Sequence, residues 1–245
     1  MNEAFVKSVK LLLLLVLLYI ATLVIGVVLG SVFNNNDIMK WTLVIGLMLI
    51  AVLFFRKSYV NLSFGRIERR MVWPAIGMSV LIAMAQLLIT ISVLSLLDVD
   101  CFYQGEEMER RQQLFSGIAG ALFVVVSGPI IEEIGFRGLL LDGLLKTQCR
   151  PWVAILISAV AFGLFHGLWA PFVTATLFGL LAGWLYWRTG SIIPGIIIHI
   201  ANNSLTAIDL SHQTDTFYLI ALVGGLIFLT YGVWWFWKNV KTFRY

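Results

Sequence analysis

Long apolar runs separated by short polar clusters fill the chain. Eight runs approach the length of about 20 residues that a helix needs to cross a bilayer core of about 30 Å. They cover roughly 11–32, 41–55, 74–97, 113–145, 152–168, 171–187, 191–210 and 216–237. In hydrocarbon every backbone N–H and C=O must be satisfied within its own segment, so each run predicts a helix. The expected fold is all-α, a polytopic membrane bundle of about eight transmembrane helices. The fourth run is too long for one straight crossing. Its Ser127-Gly128-Pro129 predicts a break or kink, because proline removes a backbone donor and clashes with the preceding turn. Gly26-x-x-x-Gly30 and Gly179-x-x-x-Gly183 mark faces where helices can approach closely. The first run is longer than a signal-peptide core and lacks a small-x-small cleavage site, so it reads as a retained span.

The connections carry the charge. Asn34, Asn35, Asn36 and Asp37 form a short outer loop, and Asp98, Asp100, Glu106, Glu107 and Glu109 sit beside Arg110 and Arg111 in a solvated outer loop. Between the second and third spans, residues 56–73 alternate Arg56, Lys57, Arg66, Arg69 and Arg70 with apolar positions. That pattern suits a segment lying in the inner interface with its cations toward anionic headgroups.

Hydrophobic residues make up 60% of the 245-residue chain and charged residues 12%, and mean hydropathy is +0.93. Such values exclude a soluble globular domain and a nucleic-acid role, and predict one integral membrane domain over 1–245. With the N-terminus inside, 13 of the 17 Lys and Arg residues fall on the inner face, Lys40, Arg110 and Arg111 fall outside, and Arg137 lies within a span. This asymmetry predicts cytoplasmic termini in a multi-pass protein of the cell membrane, with lipid as a contact partner. Trp73, Trp152, Trp187, Trp234, Trp235 and Trp237 fall at inner boundaries and Trp41 and Trp169 at outer ones, as an aromatic belt requires. Cys101 and Cys149 lie on opposite sides, which argues against a disulfide, and no Cys-x-x-Cys metal motif is present.

Against this background residues 128–138, Gly-Pro-Ile-Ile-Glu-Glu-Ile-Gly-Phe-Arg-Gly, are anomalous. Ionisable groups at membrane depth are costly and tend to mark function. Glu133 and Arg137 stand four apart, on one helical face, and are expected to form a buried structural pair. Glu132 is rotated from them by roughly 100° and is the carboxylate offered for chemistry. Two later spans carry the other deep polar groups, His166 in Phe162-Gly-Leu-Phe-His166 and the pair His199 and Asn203 in His199-Ile-Ala-Asn-Asn203. Counted from the inner ends at about 1.5 Å per residue, Glu132 lies roughly 20 Å deep, His166 21 Å, His199 12 Å and Asn203 18 Å. Three helices thus present polar groups near one level, within a core of about 113–210.

A Glu and a His around one water make a general-base arrangement for hydrolysis. Two His and a carboxylate with an open fourth position equally make a catalytic metal set, so Glu132, His166 and His199 are candidate ligands for Zn2+ or another divalent ion. Asn203 and the second His could donate hydrogen bonds to a developing oxyanion.

At these residues the sequence resembles the CPBP family of intramembrane proteases (CAAX proteases and bacteriocin-processing enzymes, also called Abi proteins), and its bacterial branch in particular. The family carries Glu-Glu-x-x-x-Arg, Phe-x-x-x-His and His-x-x-x-Asn on successive core helices, matched here by Glu132-Glu133 with Arg137, Phe162 with His166, and His199 with Asn203. The resemblance implies an intramembrane endopeptidase of the metalloprotease or glutamate type. Glu132 and His166 would activate water, and His199 and Asn203 would stabilise the oxyanion or, with the first two, hold a metal. Glu133, Arg137 and Phe162 would shape the site. It implies as substrate a small hydrophobic or membrane-associated peptide or protein, as in bacteriocin, signal-peptide or CAAX-type processing.

Two other readings compete. A non-catalytic scaffold or immunity protein of the same fold would regulate a sensor kinase or bacteriocin sensitivity, and degenerate motifs would favour it. A proton-coupled transporter would also bury Glu, His and Arg, but the chain shows no internal repeat of the kind transporters carry.

Overall fold

The computed structural model describes residues 3–57, 59–60, 68, 71–96, 116–147, 149–167, 170–205 and 214–240. Eight helices stand among them: α1 (Glu3–Val32), α2 (Asn36–Arg56), α3 (Val72–Leu96), α4 (Gly117–Leu145), α5 (Pro151–His166), α6 (Ala170–Thr189), α7 (Ile193–Leu205) and α8 (Asp215–Asn239). Most of the interfacial segment expected at 56–73 and the acidic loop at 98–111 lie outside the described residues.

The protein is a multi-pass membrane protein, and among the described residues five helices are long and apolar enough to cross a bilayer alone: α1, α2, α3, α4 and α8. The 16-residue α5 and 13-residue α7 are too short by themselves, since 13 residues rise only about 20 Å. Both carry polar motif residues, His166 on α5 and His199 and Asn203 on α7. Residues 206–210 of the expected seventh span lie outside the described set. Two helices start earlier than hydropathy predicts. α1 begins at Glu3, carrying Lys7 and Lys10 on its first turns. α2 begins at Asn36 because the Asn35 side chain caps it, accepting from Asp37 N at 2.8 Å and Ile38 N at 3.4 Å.

The described residues form two compact units, one comprising 1–62 and 105–154, the other 63–104 and 155–245. In the first, α1 and α2 make a hairpin, with Gly26 and Gly30 closing on Met39 and Gly46 on Thr22. Lys40 is buried at the start of α2, where its Nζ donates to the Ser116 carbonyl at 3.0 Å and to its hydroxyl. Antiparallel to α1 runs α4: a Cβ on Gly143 would meet Ser8 Cβ at 2.7 Å, and one on Gly135 would meet Leu15 Cδ2 at 3.2 Å.

Of the break or kink expected at Ser127-Gly128-Pro129, the break does not occur: α4 stays helical by changing its winding. Residues Phe123–Ser127 form a π turn, closed by the Gly128 N–H on the Phe123 carbonyl. The wider turn absorbs a proline that has no N–H to give and whose ring would strike the carbonyl four residues back. Glycine suits position 128 because that same carbonyl lies 3.0 Å from where a Cβ would stand. A second π segment, Ile134–Leu141, begins directly after Glu133.

In the second unit α3 packs along α8 and against α7. Glycines allow the close contacts: Gly225 lies on the Ala85 carbonyl, Gly232 on Ile82, and a Cβ on Gly179 of α6 would reach the Ala159 Cα of α5 at 2.8 Å. Arg188, read from sequence as one more inner-face cation, is 3% exposed. It donates to the carbonyls of Phe236 (3.2 Å), Trp237 (2.9 Å) and Val240, tying the end of α6 to the end of α8. These carbonyls are left over at a helix C-terminus, where a cation is favoured.

Candidate active site

In the first unit the site is a carboxylate pair at the junction of an α turn and a π segment. Gly128–Glu133 is regular α-helix, so Glu132 and Glu133 point about 100° apart. Arg137 takes the second one: its Nη1 lies 2.9 Å from Glu133 Oε1, with both side chains 0% exposed. A buried pair of this kind fixes the helix face it occupies. Glu132 is half-buried on the neighbouring face, its Oε1 folded to 3.8 Å from the position of a Gly128 Cβ.

In the second unit three helices contribute. His166 is the last residue of α5, where Gly167, with φ +117°, carries the chain out of the helix. His166 Nδ1 stands 2.9 Å from the Phe162 carbonyl oxygen. A carbonyl can only accept, so Nδ1 carries the proton and, in the neutral ring, Nε2 is the basic nitrogen. The Phe162 ring lies between the two imidazoles, 4.3 Å from that of His166 and 5.6 Å from that of His199. His199, buried on α7, is also covered by the Phe178 ring of α6 at 4.6 Å. One turn further along α7 is Asn203, whose Oδ1 accepts from Asn202 Nδ2 at 3.4 Å. That bond sets the amide orientation, with the Asn203 Nδ2 as the side chain's donor.

Each expected residue is therefore on a helix. Glu133 meets Arg137, and Phe162 brings His166 and His199 around one ring, while Glu132 belongs to the first unit and the two histidines and Asn203 to the second. Phe178 was not foreseen. Its signal was its place beside Gly179, on a face read only as packing.

The matches with known proteins fall on this same stretch. Residues 114–205 match the family model for Rce1-like type II CAAX prenyl endopeptidases. Those bounds enclose every motif residue from Glu132 to Asn203. Over 141 residues the chain is 33% identical to the "Putative membrane peptidase YdiL" of Bacillus subtilis (strain 168). That alignment covers 55% of this chain and 57% of the relative, so the chain matches little more than half of the relative's length. No solved structure matches the chain. The matched stretch holds α4 through α7, and α1, α2, α3 and α8 lie outside it.

Proposed function

We propose that the chain is an intramembrane endopeptidase that hydrolyses a small hydrophobic or membrane-associated peptide or protein. The observation that carries this reading is the match over 114–205, which contains Glu132-Glu133-x-x-x-Arg137, Phe162-x-x-x-His166 and His199-x-x-x-Asn203 in order on three helices. In this account Glu132 takes a proton from a water molecule whose oxygen attacks the scissile carbonyl carbon. His166 Nε2 accepts the hydrogen bond of that water, its ring held by the Phe162 carbonyl. His199 and Asn203 donate to the oxyanion as the carbonyl becomes tetrahedral. Collapse breaks the C–N bond, and the proton held by Glu132 passes to the departing amine. The products are one carboxylate and one amine, with one water consumed.

By chemical type, the carboxylate of Glu132 and the imidazoles of His166 and His199 are donors that a divalent ion such as Zn2+ takes. His166 has the arrangement of a ligating imidazole, Nδ1–H on a carbonyl and Nε2 directed elsewhere. Among the described residues no three His, Cys, Asp or Glu side chains stand together as a metal group; the ligands the motifs imply would be Glu132, His166 and His199. A bound ion would lower the pKa of the attacking water and polarise the carbonyl.

The test compares membrane and secreted peptides by mass spectrometry in cells making the wild type or His166→Ala at equal protein level. A longer precursor is expected to accumulate with His166→Ala, and its mature product to disappear. Identical peptide profiles would favour the non-catalytic scaffold or immunity reading.

A further inference from the structure

The two imidazoles of the second unit stand in different settings. That of His166 is oriented by a hydrogen bond, its Nδ1–H on the Phe162 carbonyl at 2.9 Å. His199 lies against rings. The torsion that turns an imidazole about its Cβ–Cγ bond is broad, so packing must set the plane in which the nitrogens point. Two phenyl rings meet this imidazole: Phe162 edge-on, with centroids 5.6 Å apart and planes at 80°, and Phe178 at 4.6 Å and 51°. The phenyl rings also meet each other, 5.8 Å apart at 38°, and close a triangle with His199. Phe178 is 4% exposed, and the backbone that carries it has little room to shift. Two residues before it, Thr176 lies so near Gly163 of α5 that a Cβ on Gly163 would overlap its Oγ1 and stand 2.8 Å from the Phe172 carbonyl. One residue after it, a Cβ on Gly179 would stand 2.8 Å from the Ala159 Cα. Phe178, rotated by about 100° from Gly179, leaves this crossing toward α7, which α6 also contacts.

We infer that Phe178 is a positioning residue for His199, its ring, pinned at the crossing of α5 and α6, fixing the imidazole plane so that one N–H stays aimed at the oxyanion. The catalytic half of this inference rests on the proposed peptidase reading, whereas the ring contact does not. An aliphatic side chain of similar size would fill the space but present no flat face to the imidazole, and aromatic pairs owe their preferred geometry to such faces and edges. A donor contributes fully only when its direction is set before the charge develops. Phe178 lies outside the three motifs, so it is a support that motif spacing alone does not name.

One test needs no substrate. The chain has three histidines, so the full chain in detergent, labelled with ¹³C at the histidine Cε1, gives three ring signals, and the one missing from His199→Gln belongs to residue 199. Relaxation of that signal reports how firmly the ring is held. Phe178→Leu and Phe178→Met, which keep bulk without the ring, are expected to lower the order of the His199 ring and displace its signal, and Phe178→Tyr to preserve both. Leu177→Ala, at an exposed neighbour on α6, is expected to change neither. The second test uses as substrate the precursor that accumulates with His166→Ala. Per folded protein, Phe178→Leu and Phe178→Met are expected to lower kcat on the order of tenfold with KM unchanged, a smaller loss than removing an oxyanion donor outright. Phe178→Tyr is expected to restore kcat to within a few-fold of wild type. Equal order of the His199 ring with and without the phenyl group would overturn the inference, as would a loss shared by Leu177→Ala, or a kcat unchanged in the ring-less variants. If the wild type processes no peptide, the peptidase reading fails, but the relaxation comparison still decides whether Phe178 holds His199.

Discussion

Glu132→Gln is expected to lower peptide processing by about 10²–10⁴-fold while folded protein accumulates as in the wild type, the range associated with loss of a general base. The substitution keeps side-chain volume and removes only the capacity to take a proton. Glu132 sits on the helix face next to the one fixed by Glu133 and Arg137, so the buried pair at 2.9 Å is left intact. Folding and chemistry are thereby separated at adjacent residues. Quantifying the mature peptide against the amount of membrane-inserted protein checks this. Processing within a few-fold of wild type would remove Glu132 from the reaction.

The opposite outcome is expected one residue away. Arg137→Ala removes the ion-pair partner that Glu133, a carboxylate with 0% exposure, has at 2.9 Å. Breaking a buried pair from one side costs about 3–5 kcal/mol, against a total stability of about 5–15 kcal/mol. Folded protein is expected to fall sharply, measured as the monodisperse fraction extracted in mild detergent. Replacing both partners, with Glu133→Leu beside Arg137→Met, is expected to restore much of that fraction, because no charge is then stranded. If Arg137→Ala leaves abundance unchanged but abolishes processing, Arg137 belongs to the chemistry rather than to the scaffold.

The contrast between these neighbours was legible in the sequence, since i to i+4 spacing alone pairs Arg137 with Glu133. The eight helices were legible too, because a bilayer forces one periodic solution on each long apolar run. What escaped was local and depended on contacts distant in sequence. Asn35 starts α2 through a side-chain cap that hydropathy does not register. Pro129 reads as a break, yet a π turn with the Phe123 carbonyl over Gly128 keeps α4 continuous. Arg188 reads as a topology charge and instead closes the end of α8. Phe178 looks like an ordinary membrane aromatic until its neighbour His199 is known.

The proposed hydrolysis requires Glu132, His166 and His199 to act on one water. Cysteine pairs placed at 132 and 199, and at 132 and 166, in a chain carrying Cys101→Ser and Cys149→Ser, test this with a short bifunctional thiol reagent in native membranes. A pair at 15 and 135, in contact across α1 and α4, serves as the positive control. The account predicts intramolecular cross-links at 132–199 and 132–166 as efficient as the control. A control that links while both of these pairs remain open would contradict it.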